Sequence, residues 1–97
     1  MMDYTREETE WMERHGLKHV STGEHSETWG GVMAGLRVKV EKWTGGLIEV
    51  TLDDTKGCNG GTGIAEGLTA AFKNAVLDLK RLAASIKESA EGLEKML

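Results

Sequence analysis

The sequence predicts an α+β fold: a short N-terminal helix, a two- to three-stranded antiparallel sheet, and a long C-terminal amphipathic helix packed on the sheet. Three observations carry this expectation. Residues 36–42 and 47–53 alternate apolar and polar with period two, as half-buried strands do. From Leu68 onward the apolar residues step by four and three, as one face of a helix does. Twelve of the thirteen glycines lie between Gly16 and Gly67, so the residue that weakens helix interiors is confined to the middle of the chain. Ninety-seven residues suffice for a single small domain, 1–97, with a modest core.

The first element is a helix over about 5–15. Thr5-Arg6-Glu7-Glu8 has the form of a capping box, and the acids suit the positive end of the helix dipole. Gly16 is a natural stop. The apolar side is thin, so this helix must dock through Trp11 or move.

The sheet is expected within 26–54. A strand at about 26–34 precedes the two alternating segments. Leu36, Val38 and Val40 share one face of the second strand, and Ile48, Val50 and Leu52 share one face of the third. A three-residue loop, 43–45, would pair Val40 with Ile48 and leave Trp43 at the hairpin tip, with Gly45 in the left-handed region. Residues 55–63 read as a polar, glycine-rich loop containing Cys58. The helix then runs over 64–96. It is longer than the strands it covers, which points to a homodimer through Ile86, Leu93 and Met96.

The formal charge of −4 is unevenly placed. Residues 1–27 hold seven acids and three bases, and residues 28–97 hold nine of each. An acidic segment repels phosphate backbones and favours basic partners. The small basic group Arg37, Lys39, Lys42 and Lys56 is balanced by neighbouring acids, so direct nucleic-acid binding is not expected. No apolar run approaches a membrane span, the polar acidic N-terminus does not read as a signal peptide, and one cysteine makes no internal disulfide. A cytoplasmic protein is expected.

Candidate chemistry is sparse. His15 and His19 are four apart but separated by Gly16, and nothing completes a metal-ligand set, so the histidines, His25 included, read as surface residues. Cys58 precedes a helix, where a thiol can be activated, yet no partner base is evident. Gly60-Gly61-Thr62-Gly63 suggests an anion cradle but lacks the Lys-Ser/Thr pair of a phosphate-binding loop. No cofactor, metal or catalytic role is expected. The three tryptophans stand off the clear core stripes, and tryptophan is enriched at interface hot spots. The partner-binding candidates are therefore Glu7, Glu8, Glu10, Trp11, Glu13, Trp29, Trp43, Asp53 and Asp54.

Two resemblances follow. The run Val50-Thr51-Leu52-Asp53-Asp54-Thr55-Lys56-Gly57-Cys58, then Gly60-Gly61-Thr62, Ala65-Glu66-Gly67-Leu68 and Ala70-Ala71, resembles HicB-type antitoxin domains. There a strand ends in Asp-Leu-Pro-Gly-Cys and an alanine-rich helix follows. This chain lacks the proline and any DNA-binding segment after it. In organisation, a small acidic α+β chain with a polar start, glycine-rich strands and a closing helix resembles phage-encoded anti-CRISPR proteins. That resemblance implies a non-enzymatic inhibitor of a nucleic-acid-handling defence complex in the host cytoplasm. Its acids, with the exposed tryptophans, would meet the basic surface of a host protein or ribonucleoprotein. The HicB likeness implies instead a regulatory module that binds a small toxin.

Overall fold

The structure, a computed structural model, describes residues 4–54, 60–82 and 87–97. The predicted α+β class holds, and the sheet is larger than expected. Its elements in chain order are α1 (Arg6–Arg14), β1 (Lys18–Thr22), β2 (Ser26–Met33), β3 (Leu36–Trp43), β4 (Ile48–Asp54), β5 (Gly60–Ala65), α2 (Leu68–Leu82) and α3 (Lys87–Met96). The five strands form an antiparallel meander in the order β1-β2-β3-β4-β5.

The α1 cap forms as its sequence dictates. Thr5 Oγ1 accepts from the Glu8 amide at 3.1 Å, and Glu8 Oε1 accepts from the Thr5 amide at 2.8 Å. Gly16 follows the helix at φ 82°. Such a short helix is held by docking. Met12 is fully buried, and the Trp11 ring lies 5.1 Å from that of Phe72 on α2. Burying a side chain of this size stabilises by roughly 1.5–3 kcal/mol.

The β3–β4 hairpin departs from the expected register. Val40 pairs with Val50 and Val38 with Leu52, not with Ile48 and Val50. The three-residue loop is 44–46, closed by Trp43 N–H donating to Leu47 O at 2.8 Å, with both Gly45 and Gly46 at positive φ. The slip is by two residues, which keeps every apolar side chain on the same face, so alternation alone does not distinguish the two registers.

The glycine-rich segment is the larger correction. Residues 60–63 open strand β5, and residues 64–65 end that strand rather than starting a helix. Gly61 and Gly63 lie directly beneath α2: a Cβ on Gly61 would stand 2.6 Å from the Leu79 amide nitrogen, and one on Gly63 would collide with the backbone of Ala71 and Ala75. Together with Ala71 and Ala75, both fully buried, the two glycines let the helix lie flat on the strand. The edge of β5 is satisfied from the same helix. Thr62 N–H donates to the Asp78 carboxylate at 2.9 Å, and Asn74 Nδ2 donates to Ile64 O at 3.2 Å. Side chains thus occupy an edge that would otherwise invite another strand.

The single helix expected over 64–96 is two helices. The second, α3, packs back on α2, where Glu94 pairs with Lys80 and Leu93 is fully buried. This removes Leu93 from the expected dimer seam, because the surplus length is used within the chain. Met96 remains at the surface, and Ile86 lies outside the described residues. Cys58 also lies outside them. Among the described residues, no helix is long and apolar enough to cross a membrane.

Candidate functional site

The core sits on one face of the sheet only. Trp29, Met33, Leu36, Val38, Val40, Ile48, Val50 and Leu52 point toward the helices and are buried with Phe72, Val76 and Leu79. The opposite face carries the alternate residues: Thr28, Gly30 and Val32 from β2, Arg37, Lys39, Glu41 and Trp43 from β3, Glu49, Thr51 and Asp53 from β4, and Thr62 and Ile64 from β5. Val20 joins them at a bulge in β1, where its Cγ2 lies 3.4 Å from the position a Cβ on Gly30 would take. No described helix covers this face.

Its composition is mixed. Val20 is 64% exposed, Val32 57%, Ile64 54%, Leu47 48% and Trp43 41%. Five of the seven exposed large apolar side chains among the described residues therefore gather here; only Leu77 and Met96 lie elsewhere. Between the valines, Gly30 forms the floor of a shallow groove of about 690 Å³, flanked by Arg37 and Lys39. The Arg37 guanidinium makes no hydrogen bond or ion pair among the described residues. Lys39 Nζ stands 3.7 Å from Glu41, whose other oxygen accepts from Ser26 Oγ at 2.7 Å. Glu41 and Glu49 are directly opposed across β3 and β4, a like-charge pairing that costs stability.

The residues nominated from sequence do not form one surface. Glu7, Glu10 and Glu13 project into solvent from α1, on the helical side of the molecule. Glu7 and Glu10 border a cleft of about 430 Å³ with Trp11, Arg14 and the start of α2, whose free amides carry partial positive charge. Arg6 pairs with Glu10 at 3.0 Å on the exposed side of α1, which contributes little. Glu8 is turned inward and pairs with Lys42. Trp11 is half-buried against Phe72 and His15. Trp29 is buried, with Nε1 donating to Glu27 Oε2 at 2.9 Å. Trp43 and Asp53 lie on the uncovered face at opposite ends, and Asp54 is turned to the other face opposite Leu36.

The histidines are scattered. His15 Nδ1 bonds Trp11 O at 2.8 Å, His19 Nε2 bonds Thr22 Oγ1 at 2.8 Å, and His25 lies at the turn before β2. Among the described residues no three metal-ligating side chains come together. Burial, then the charges of Glu27 and Glu8, push the Tyr4 phenol well above the usual tyrosine range.

The sequence reading missed Val20, Val32, Leu47 and Ile64 as a set. The available signal was that Val32 and Ile64 are apolar but out of phase with the buried residues of their segments. Comparison of the chain with protein-family models, with curated proteins and with solved structures finds no match.

Proposed function

We propose that this chain acts by binding another protein, not by catalysis, and that the uncovered face of the sheet is its docking surface. The observation that carries this is the gathering of Trp43, Leu47, Ile64, Val20 and Val32 on one exposed face. Scattered apolar side chains at a surface need no explanation, whereas five on one uncovered face, set toward its ends around the charged middle of Lys39, Glu41 and Glu49, give it the mixed apolar and polar character of an interaction site. Hydroxyl-radical footprinting of the full chain over a dilution series, in a bacterial lysate and in buffer, tests it. Protection of Trp43, Val20 and Ile64 is expected in at least one of the two series. Reactivity of these residues that stays unchanged at every concentration, in lysate and in buffer alike, overturns the reading.

The finer form of the proposal is an inhibitor of the anti-CRISPR type, directed at a basic surface of a defence complex. It is favoured by Glu7, Glu10 and Glu13, three acids on α1 that project outward with no role in the core. Expression of the chain should then restore plasmid transformation in a strain whose CRISPR system blocks it, and reversing the charge of these three acids should remove the effect. No rescue in strains of several CRISPR types sinks this form. A HicB-like antitoxin is the alternative, but Gly61, one of the glycines of its resemblance, is accounted for by the packing of α2 on β5.

A further inference from the structure

The uncovered face is self-complementary along β3, and from this we infer that its occupant is a second copy of the same chain. The inference rests on the reading of that face as a docking surface.

The open side of β3 presents, in order, Arg37, Lys39, Glu41 and Trp43. Two such sheets can face each other about a two-fold axis that lies between them and runs across the strands. Residue 37 of one copy then faces residue 43 of the other, and 39 faces 41. Two cations meet two complementary groups, twice. The Arg37 guanidinium, without a pair among the described residues, falls on the exposed Trp43 indole of the partner, a cation–π contact. The Lys39 ammonium falls over the opposed Glu41 and Glu49 carboxylates of the partner. Each copy thus adds a second cation to the like-charge pair of the other, whose Glu41 already stands 3.7 Å from the Lys39 of its own chain.

Size agrees. Five strands about 4.8 Å apart and five to eight residues long give a face of roughly 20 by 23 Å. Its accessible area, larger than that flat footprint, is of the order of the ~800 Å² per partner of a standard interface. Facing sheets pack about 10 Å apart with strands crossing at about 30°, a tilt that long Arg, Lys and Glu side chains can span. The helices would lie on the two outer sides, so the dimer would present Glu7, Glu10 and Glu13 twice.

Sedimentation velocity on the full chain, up to roughly 1 mM, is the first test, and a dimer is expected. Glu49→Lys separates fold from assembly. In the monomer it places a cation opposite Glu41 and should raise stability to urea. In the dimer it sets the introduced ammonium against the partner's Lys39, and dissociation should become at least about tenfold easier. Trp43→Ala should weaken the dimer with the circular dichroism unchanged. A wild-type monomer at the highest concentration overturns the inference. So does a dimer that Glu49→Lys and Trp43→Ala leave intact. Footprinting protection in dilute lysate alongside a monomeric chain in buffer also overturns it, while leaving the docking surface assigned to a different protein.

Discussion

The Nζ of Lys42 on β3 lies 3.1 Å from Oε1 of Glu8 on α1, with both side chains largely shielded from solvent. The same Glu8 oxygen closes the capping box with the Thr5 amide. One carboxylate therefore caps the helix and ties it to the sheet. Capping groups are worth about 1 kcal/mol, and a partly shielded ion pair adds to this. Glu8→Ala is expected to cost about 2 kcal/mol in urea unfolding, and Glu8→Gln, which keeps an acceptor, about half of that. A double-mutant cycle with Lys42→Met reads the pair alone. A zero coupling energy would mean that the contact holds nothing. Loss of partner binding in a Glu8 variant would thus report helix undocking, and charge reversal is informative only at Glu7, Glu10 and Glu13.

Tyr4 is the sole tyrosine, so its ionisation can be read directly from absorbance. Its hydroxyl donates to Glu27 O at 2.9 Å and contacts Val40 O at 3.3 Å from a buried position. Burial first, and the charges of Glu27 and Glu8 next, raise its folded-state pKa. The unfolded chain ionises near pH 10, so the folded state holds the proton longer. The associated stability is fully present below about pH 10 and is lost as pH rises from there through the folded value. Folded protein should show no tyrosinate at pH 10, and ionisation should accompany unfolding. Tyr4→Phe should cost about 1 kcal/mol at neutral pH and flatten the alkaline decline. A titration midpoint near pH 10 in folded protein would contradict this burial.

The contact of β5 with α2 leaves no room for a methyl group. Gly63→Ala forces the strand from the backbone of Ala71 and Ala75, and Gly61→Ala meets Leu79 and Ala75. Overpacking against backbone is expected to cost about 3 kcal/mol or more at either site. Gly67→Ala, where nothing lies within 4 Å, should cost less than about 1 kcal/mol. Equal urea midpoints for Gly63→Ala and Gly67→Ala would place α2 elsewhere.

The parts of the fold that sequence reveals are those that bury side chains in a pattern. The capping box of α1, the alternation of β3 and β4 and the helical stripe of α2 each declare themselves this way. The two outer strands do not. All five residues of β1 are exposed, so Lys18–Thr22 shows no alternation to read. The core-facing positions of β5 are Gly61, Gly63 and Ala65, which carry almost no hydrophobic signal because the helix occupies the space their side chains would take. The uncovered face was hidden for a related reason. Val20, Val32 and Ile64 come from three separate strands, and only the meander sets them on one surface with Trp43. Glu8 and Trp29 suit a partner by residue type; Lys42, the internal partner of Glu8, lies 34 residues away and follows from tertiary geometry, while Glu27, the partner of Trp29, stands two residues before it on the same face of β2.

The β2–β3 turn carries a correctable strain. Met33 pairs with Leu36, so the loop is the two residues Ala34 and Gly35, at φ 52° and 78°. Two positive φ values are the signature of a type I′ turn, whose twist matches that of the flanking strands. Glycine accepts this conformation without cost. Alanine does not, because its Cβ crowds the following carbonyl, at roughly 1 kcal/mol. Asparagine tolerates it best among residues with a side chain, and Asn-Gly is the preferred pair for this turn. Ala34→Asn is therefore expected to stabilise the protein by about 0.5–1 kcal/mol, raising the urea midpoint with an unchanged slope. Ala34→Val, β-branched, should lower the midpoint by at least as much. The gain should leave partner binding unaltered, since Ala34 lies at the α3 end of the sheet, 3.7 Å from where a Cβ on Gly92 would stand, and away from Trp43. If Asn and Val shift the midpoint in the same direction, the turn does not hold Ala34 in the left-handed region.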